Sequence, residues 1–362
     1  MKHLPKILLC LASVSACQID LPVASEIERM RVLTAYAEVE GEPERSSPAP
    51  GETARVTWAM AYPDHMQDDS ELSSMFYVCT APESFSGTPI CQEFIDAFQA
   101  GGRGGAAAFG GPEVAELLPS CADDPDGVWD LGPFRLVCVT GTPKLDISIP
   151  DNYKGEAKLM QGVICRNGTP RFELVGAPQP RFVCEGRGPS AEREEIAVYG
   201  TVPVQRDDDS RNYNPRTDGF QLSFGDRPEL WKASDELLDD EVSDEACEEL
   251  ARSGRLLLSD DHREPREEEI VLGYDADARE AYKGKPEALT FSAYTTFGSL
   301  SARFTVFRSD AKTPLKRTIK WELSDEEREQ LKKSSKFVRF FFTVQDDRGG
   351  YAITRRDLCV VR

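Results

Sequence analysis

The chain has 362 residues, with 43 Lys and Arg against 63 Asp and Glu and a formal charge of −20. So acidic a body repels phosphate backbones and anionic lipid surfaces, which excludes general nucleic-acid binding. The length allows two or three domains, each with its own core. No segment approaches the roughly twenty apolar residues of a membrane-spanning helix.

Residues 1–16 read as a secretory signal peptide. Lys2 and Lys6 give a basic start, Ile7 to Leu11 an apolar run, and Val14-Ser15-Ala16 a small-residue approach to Cys17. A cysteine at the cut resembles the lipobox of bacterial lipoproteins, which implies a lipidated Cys17. The alternative is an ordinary signal peptide with Cys17 left as a disulfide cysteine. Gln18 resembles the outer-membrane pattern of that family, in which Asp at this place marks inner-membrane retention. Several acyl chains on one cysteine hold a protein firmly, so the lipid would be the membrane attachment. Loss of Lys2 and Lys6 takes the formal charge from −20 to −22. Residues 17–29 follow as a polar tether.

The first domain is expected over 30–206. Met30 to Val39, Thr53 to Tyr62 and Met75 to Thr80 show the period of two of half-buried strands, with Val56, Trp58 and Met60 sharing a face. The pattern changes over 92–137, which reads as an insertion with short helices at 92–99 and 112–118. Strand signals resume at Phe134 to Thr140, Leu145 to Ile149, Ala157 to Cys165 and Glu195 to Val204. Residues 207–218 are an acidic linker with Asn-Pro and no apolar periodicity.

The second domain is expected over 219–362. Phe220 to Phe224, Glu268 to Tyr274, Leu289 to Tyr294, Leu300 to Phe307, Thr318 to Leu323, Phe337 to Gln345 and Tyr351 to Val361 read as strands. Leu300, Ala302, Phe304 and Val306 are expected on one face, and so are Val338, Phe340, Phe342 and Val344. Trp231 to Gly254 reads as helical in pieces. Ser324-Asp325-Glu326-Glu327 is a capping box, in which a hydroxyl and a carboxylate satisfy amide protons at a helix start. Asp346 to Gly350 reads as a tight turn. Short antiparallel strands in this number predict two Ig-like β-sandwiches with small helical insertions, diverged from one plan.

Eight cysteines remain beside Cys10 and Cys17, and an even count in an exported chain predicts disulfides. Local spacing pairs Cys79 with Cys91, Cys121 with Cys138, and Cys165 with Cys184, leaving Cys247 for Cys359. A zinc site is disfavoured, because no CxxC spacing occurs and only His65 and His262 follow the signal.

Cys17 at a lipobox, Arg31-Val32-Leu33, Pro48-Ala49-Pro50-Gly51-Glu52, Asn212-Tyr213-Asn214-Pro215 and the stretch Val338 to Gly350 before Cys359 together resemble the Ig-like lipoproteins of myxobacteria. The last stretch is similar to the final hairpin of PKD- and cadherin-like domains. The 92–137 insertion departs from the simple plan. The resemblance implies exported Ig-like modules and assigns no activity.

No catalytic constellation stands out. There is no GxSxG, and both histidines sit in charged or polar loops that suit solvated side chains. Gly101 to Gly111 is glycine-rich but lacks the GK[ST] of a phosphate loop. Acid pairs are unavoidable with 63 carboxylates and carry no information. Asp207, Asp208 and Asp209 with Asn212 and Asn214 offer hard oxygens for calcium at the domain junction, without EF-hand spacing. A solvated acidic linker is favoured over it. The sequence therefore points to a non-enzymatic, lipid-anchored envelope protein that binds a protein or glycan partner. A periplasmic assembly factor and, more remotely, a degradative enzyme are the other readings.

Overall fold

In a computed structural model of the chain, the structure describes residues 25–63, 71–82, 91–92, 120–130, 135–173, 181–186, 193–206, 211–225, 244, 247, 257–259, 267–311 and 315–361. The protein is mainly β. The first unit contains β1 (Arg31–Val39), β2 (Thr53–Ala61), β3 (Leu72–Thr80), β4 (Val128–Asp130), β5 (Arg135–Thr140), β6 (Lys144–Ser148), β7 (Ala157–Arg166), β8 (Gly168–Glu173), β9 (Arg181–Gly186) and β10 (Glu194–Pro203). One sheet has the order β1-β2-β6 and the other β10-β7-β3-β5-β4, while β8 and β9 form a separate hairpin.

The second unit contains β11 (Phe220–Phe224), β12 (Leu257–Ser259), β13 (Glu267–Tyr274), β14 (Ala281–Tyr282), β15 (Lys285–Pro286), β16 (Leu289–Thr295), β17 (Ser299–Leu300), β18 (Phe304–Phe307), β19 (Leu315–Glu322), helix α1 (Asp325–Leu331), β20 (Lys336–Asp346) and β21 (Tyr351–Val361). Its sheets run β11-β13-β19-β17 and β12-β21-β20-β16-β18. Both units thus use one plan. The first two long strands pair, and a later strand (β6, β19) joins them. The third long strand (β3, β16) lies opposite, between β7 or β20 and β5 or β18.

Each sandwich closes on a core that matches its alternation. In the first, Val56, Trp58 and Met60 of β2 point inward with Leu145 and Ile147 of β6. Outward, Arg55 pairs with its cross-strand partner Asp146. Trp58 stacks on Phe76 of the facing sheet with ring centroids 4.3 Å apart. A side chain at Gly162 of β7 would collide with the Met75 carbonyl, so the sheet needs glycine there. In the second, Val338, Phe340, Phe342 and Val344 form one wall of the core, as their spacing predicts. Trp321 meets Phe340 edge to face at 5.6 Å, and Phe224 meets Trp321 at 5.9 Å.

The capping box forms. Ser324 Oγ accepts from Glu327 N at 3.2 Å, and Glu327 Oε2 accepts from Ser324 N at 2.7 Å. The second oxygen of Glu327 accepts from Gly298 N at 2.7 Å, fastening α1 to the turn before β17.

The four disulfides join Cys79 to Cys91, Cys121 to Cys138, Cys165 to Cys184 and Cys247 to Cys359, the pairs that spacing predicts. One strand reading needs correction. Leu300 to Phe307 is not a single strand: β17 pairs with β19, and β18 pairs with β16 in the opposite sheet. The chain changes sheets across 301–303, so the period of two continues in sequence but not on one face. Leu300 is buried, whereas Phe304 and Val306 face solvent. The β8–β9 hairpin also goes beyond the strands that alternation predicts. The helices expected at 92–99 and 112–118 lie outside the described residues, apart from helical Gln92. So does the helical reading of 231–254, apart from Asp244 and Cys247, which are helical.

Candidate binding surface at the seam of the two sandwiches

The five-stranded sheet of each unit is covered on its outer face as well as its inner one. In the first unit the outer residues Met75, Tyr77 and Cys79 of β3 pack with Leu136, Cys138 and Leu159. Their cover is Phe172 of β8, with the Cys79–Cys91 and Cys121–Cys138 staples. In the second unit the cover is the first unit itself. Leu33 and Ala61 pack with Tyr294 and Phe341, with Ile353 beside them. Arg31 and Arg303 flank the Tyr294 ring, each 5.8 Å from its centroid. Farther along the same face, Arg339 and Asp357 are cross-strand partners and both buried. Arg355 Nε lies 3.3 Å from Asp357 Oδ2. The Cys247–Cys359 bridge closes that end, where Asp244 accepts from Phe337 N at 2.8 Å.

The expected tether of 17–29 is docked from Ser25 onward. Thr295 N donates to Ser25 O at 2.9 Å and Ile27 N to Thr295 O at 2.8 Å, so the segment joins β16 before entering β1. The linker is likewise built into the seam. Arg45, 1% exposed, donates to Glu52 Oε2 at 2.7 Å, Ser47 O at 3.1 Å and Gln205 Oε1 at 3.0 Å. Burial pushes Glu52 up, but the Arg45 hydrogen bond and the Ala49 N–H outweigh it and hold the carboxyl below its usual range.

Asn212 and Asn214, two of the five residues offered for calcium, act as splices here. Asn212 Nδ2 donates to Ser46 Oγ at 2.9 Å in the first unit and reaches Asp346 Oδ2 at 3.3 Å in the second. Asn214 Nδ2 donates to Ala37 O at 2.8 Å, while its Oδ1 accepts from Tyr351 N at 3.0 Å. Asp207, Asp208 and Asp209 lie outside the described residues, as do Cys17, His65, His262 and Gly101 to Gly111. Among the described residues no group of three or more His, Cys, Asp or Glu is arranged to hold a metal ion, and no helix is long and apolar enough to cross a membrane.

Acidic side chains converge on the turn between β20 and β21. Asp346, 3% exposed, accepts from Arg348 N and Gly350 N at 2.8 Å each, which makes the turn that the sequence predicts. Gly349 has φ +95°, and a Cβ at Gly350 would lie 2.6 Å from Tyr213 O. Burial pushes the Asp346 carboxyl up to about 6 despite these hydrogen bonds. Burial raises Glu287 too, with Asp346 adding to it, and raises Glu280, with Glu287 adding to it. Arg348 brings positive charge among them, with Arg279 beside Glu287. Arg348 binds Glu287, reaches Glu280 Oε2 at 3.0 Å, donates to Arg211 O at 2.6 Å and lies 4.4 Å over the Tyr282 ring. The network spans residues 211 to 348, so no local motif could have announced it; the turn itself was the one legible part. It is a structural lock, with every named carboxylate facing an arginine or amide rather than an open cleft.

What the seam leaves exposed is β18. Phe304 is 65% and Val306 51% exposed, although both belong to the face that the first unit covers elsewhere. All eight described cysteines are in disulfides.

No protein-family model matches the chain, and no curated protein matches it. Among solved structures it is similar to Escherichia coli alpha-2-macroglobulin activated by porcine elastase, at 8% identity and a TM-score of 0.20 over 93% of this chain and 22% of that one. It is also similar to mouse protocadherin-24 EC1-3, at 13% identity and a TM-score of 0.15 over 94% of each chain. The chain spans about a fifth of the first. Likenesses this distant carry no argument, and the reading of the chain rests on its own residues.

Proposed function

We propose that the protein is a non-enzymatic lipoprotein of the bacterial cell envelope. It is held by lipid on Cys17 and binds a protein or glycan partner through its two sandwiches. The lipobox-like run before Cys17 supports the anchor, and the resemblance to myxobacterial Ig-like lipoproteins supports the outer membrane as its place. The observation that carries the binding reading is the seam. Asn212, bonded to Ser46 and Asp346, and Asn214, bonded to Ala37 and Tyr351, lock the two units into one body, and the exposed apolar strand β18 runs beside that lock. A fixed two-module body presents a surface at low ordering cost, which is what a binding module needs. The absence of a catalytic motif in the sequence agrees with it.

The test is protease accessibility on intact and lysed cells, with a Cys17→Ala control. Digestion of the body on intact cells is the result expected for a surface binder. Protection until lysis would favour a periplasmic assembly factor instead. A Cys17→Ala protein that stays in the membrane fraction would overturn the lipid anchor.

A further inference from the structure

The two units differ at one strand edge. In the first, β5 lies between β3 and β4, and β4 caps its outer side with an antiparallel ladder: Val128 opposite Val137, Trp129 opposite Leu136, Asp130 opposite Arg135. In the second, the equivalent strand β18 ends its sheet, and no described strand lies beyond it. Its backbone is set for one. Ala293 N donates to Arg303 O at 2.9 Å, so by strand alternation Thr305 and Phe307 also turn their amide groups toward β16. Phe304 and Val306 therefore turn their N–H and C=O groups outward. Arg303 precedes β18 just as Arg135 opens β5, and in the first unit an aspartate sits opposite that arginine.

We propose that β18 receives an extended segment of a partner protein as an added antiparallel strand, with apolar side chains in the middle and an acidic residue opposite Arg303. This deepens the binding reading above by naming the partner's chemistry, and it rests on that reading. The added strand takes the place that β4 holds in the first unit. Outward N–H and C=O groups of Phe304 and Val306 supply the main-chain bonds, and the exposed side chains of the same two residues give the apolar contact. Arg303 and Arg308, both exposed at the two ends, select for negative charge. A second copy of this chain is disfavoured, because its own edge from Ala302 to Arg308 carries two arginines and no acidic residue. A glycan would make no use of the outward amide row.

The probe is a fluorescein-labelled peptide, Ser-Thr-Val-Trp-Asp-Ser, whose central Val-Trp-Asp repeats the β4 sequence, titrated by anisotropy into the full exported chain carrying Cys17→Ala. Saturable binding that weakens with salt is expected. Val306→Pro removes one outward N–H on an edge strand, where proline is tolerated, and should cost at least about tenfold in affinity. Arg303→Glu should cost a similar factor, recovered with a peptide carrying Arg in place of Asp. Circular dichroism and the melting temperature show that each variant remains folded. Peptide binding unchanged by Val306→Pro in a folded chain would overturn strand addition. So would no binding to the chain with both residues intact. If cross-linking in the envelope then traps a partner through another surface, only the β18 site has failed and the broader binding reading stands.

Discussion

The two sandwiches share a strand plan but shield the same face by different means. The outer face of the first unit's large sheet is closed locally, by the β8–β9 hairpin and disulfides whose cysteines stand 12, 17 and 19 residues apart. The outer face of the second is closed from a distance, by the first unit and by a disulfide spanning 112 residues. Local closure makes the first unit self-sufficient. Distant closure makes the second depend on its neighbour, and it leaves β18 at the margin.

That contrast can be broken at its long-range end first. In the chain-entropy account a loop of about 100 residues gains roughly 4.7 kcal/mol from its bridge and one of about 15 gains roughly 3. Replacing Cys247 and Cys359 together by Ser should therefore destabilise more than replacing Cys121 and Cys138. Urea unfolding of the two double variants gives the order, and a reversed order would mean that the second unit does not rely on its staple. Next comes Phe341→Ala, at the centre of the apolar contact between units, with an expected cost of about 3–5 kcal/mol. Calorimetry should resolve one transition in the unaltered protein and two in the variant, the second unit melting first.

The pH response sharpens the contrast from the side of the lock. Asp346 holds its proton more tightly when folded, with a carboxyl at about 6 against 3.8 for an ordinary aspartate. Its contribution is complete below about pH 4 and is lost as pH rises through 6, on the order of 3 kcal/mol. Asp346→Asn keeps the side-chain oxygen that accepts from Arg348 N and Gly350 N. It should flatten stability between pH 4 and 7 relative to the unaltered chain, measured as the difference between the two urea midpoints. The smallest effect is expected from Ser324→Ala. Loss of that cap should cost about 1 kcal/mol, confined to the transition of the second unit.

Much of this architecture was legible because one-sided burial writes itself as alternation. β2 and β6 bury every second residue, as β19 does from Ile319 on, and the capping box at Ser324 follows from four letters. Strands closed on both faces lose that signal. β3 is buried without a break from Ser74 to Tyr77, its first three residues Leu72-Ser73-Ser74 carry no apolar alternation and went unread, and β20 is buried through both its faces. The switch between sheets at 301–303 preserved the period while changing the face. The lock at the seam was illegible for another reason. Its partners, such as Ser46 with Asn212 and Asn212 with Asp346, are more than a hundred residues apart, and each alone reads as a solvated polar residue. A solvated linker was the favoured reading of that cluster of hard oxygens, with calcium as the alternative; instead Asn212 Nδ2 and both amide atoms of Asn214 join the units.

The docking of Ser25 onto Thr295 also fixes a length. Eight peptide steps separate Cys17 from Ser25, and fully extended they reach at most roughly 29 Å. On the lipid-anchor reading the leash is thus no longer than a small domain is wide. The body cannot sweep far for a partner; the partner must come within that radius of the bilayer, and a leash extended by a flexible insert would relax the restriction.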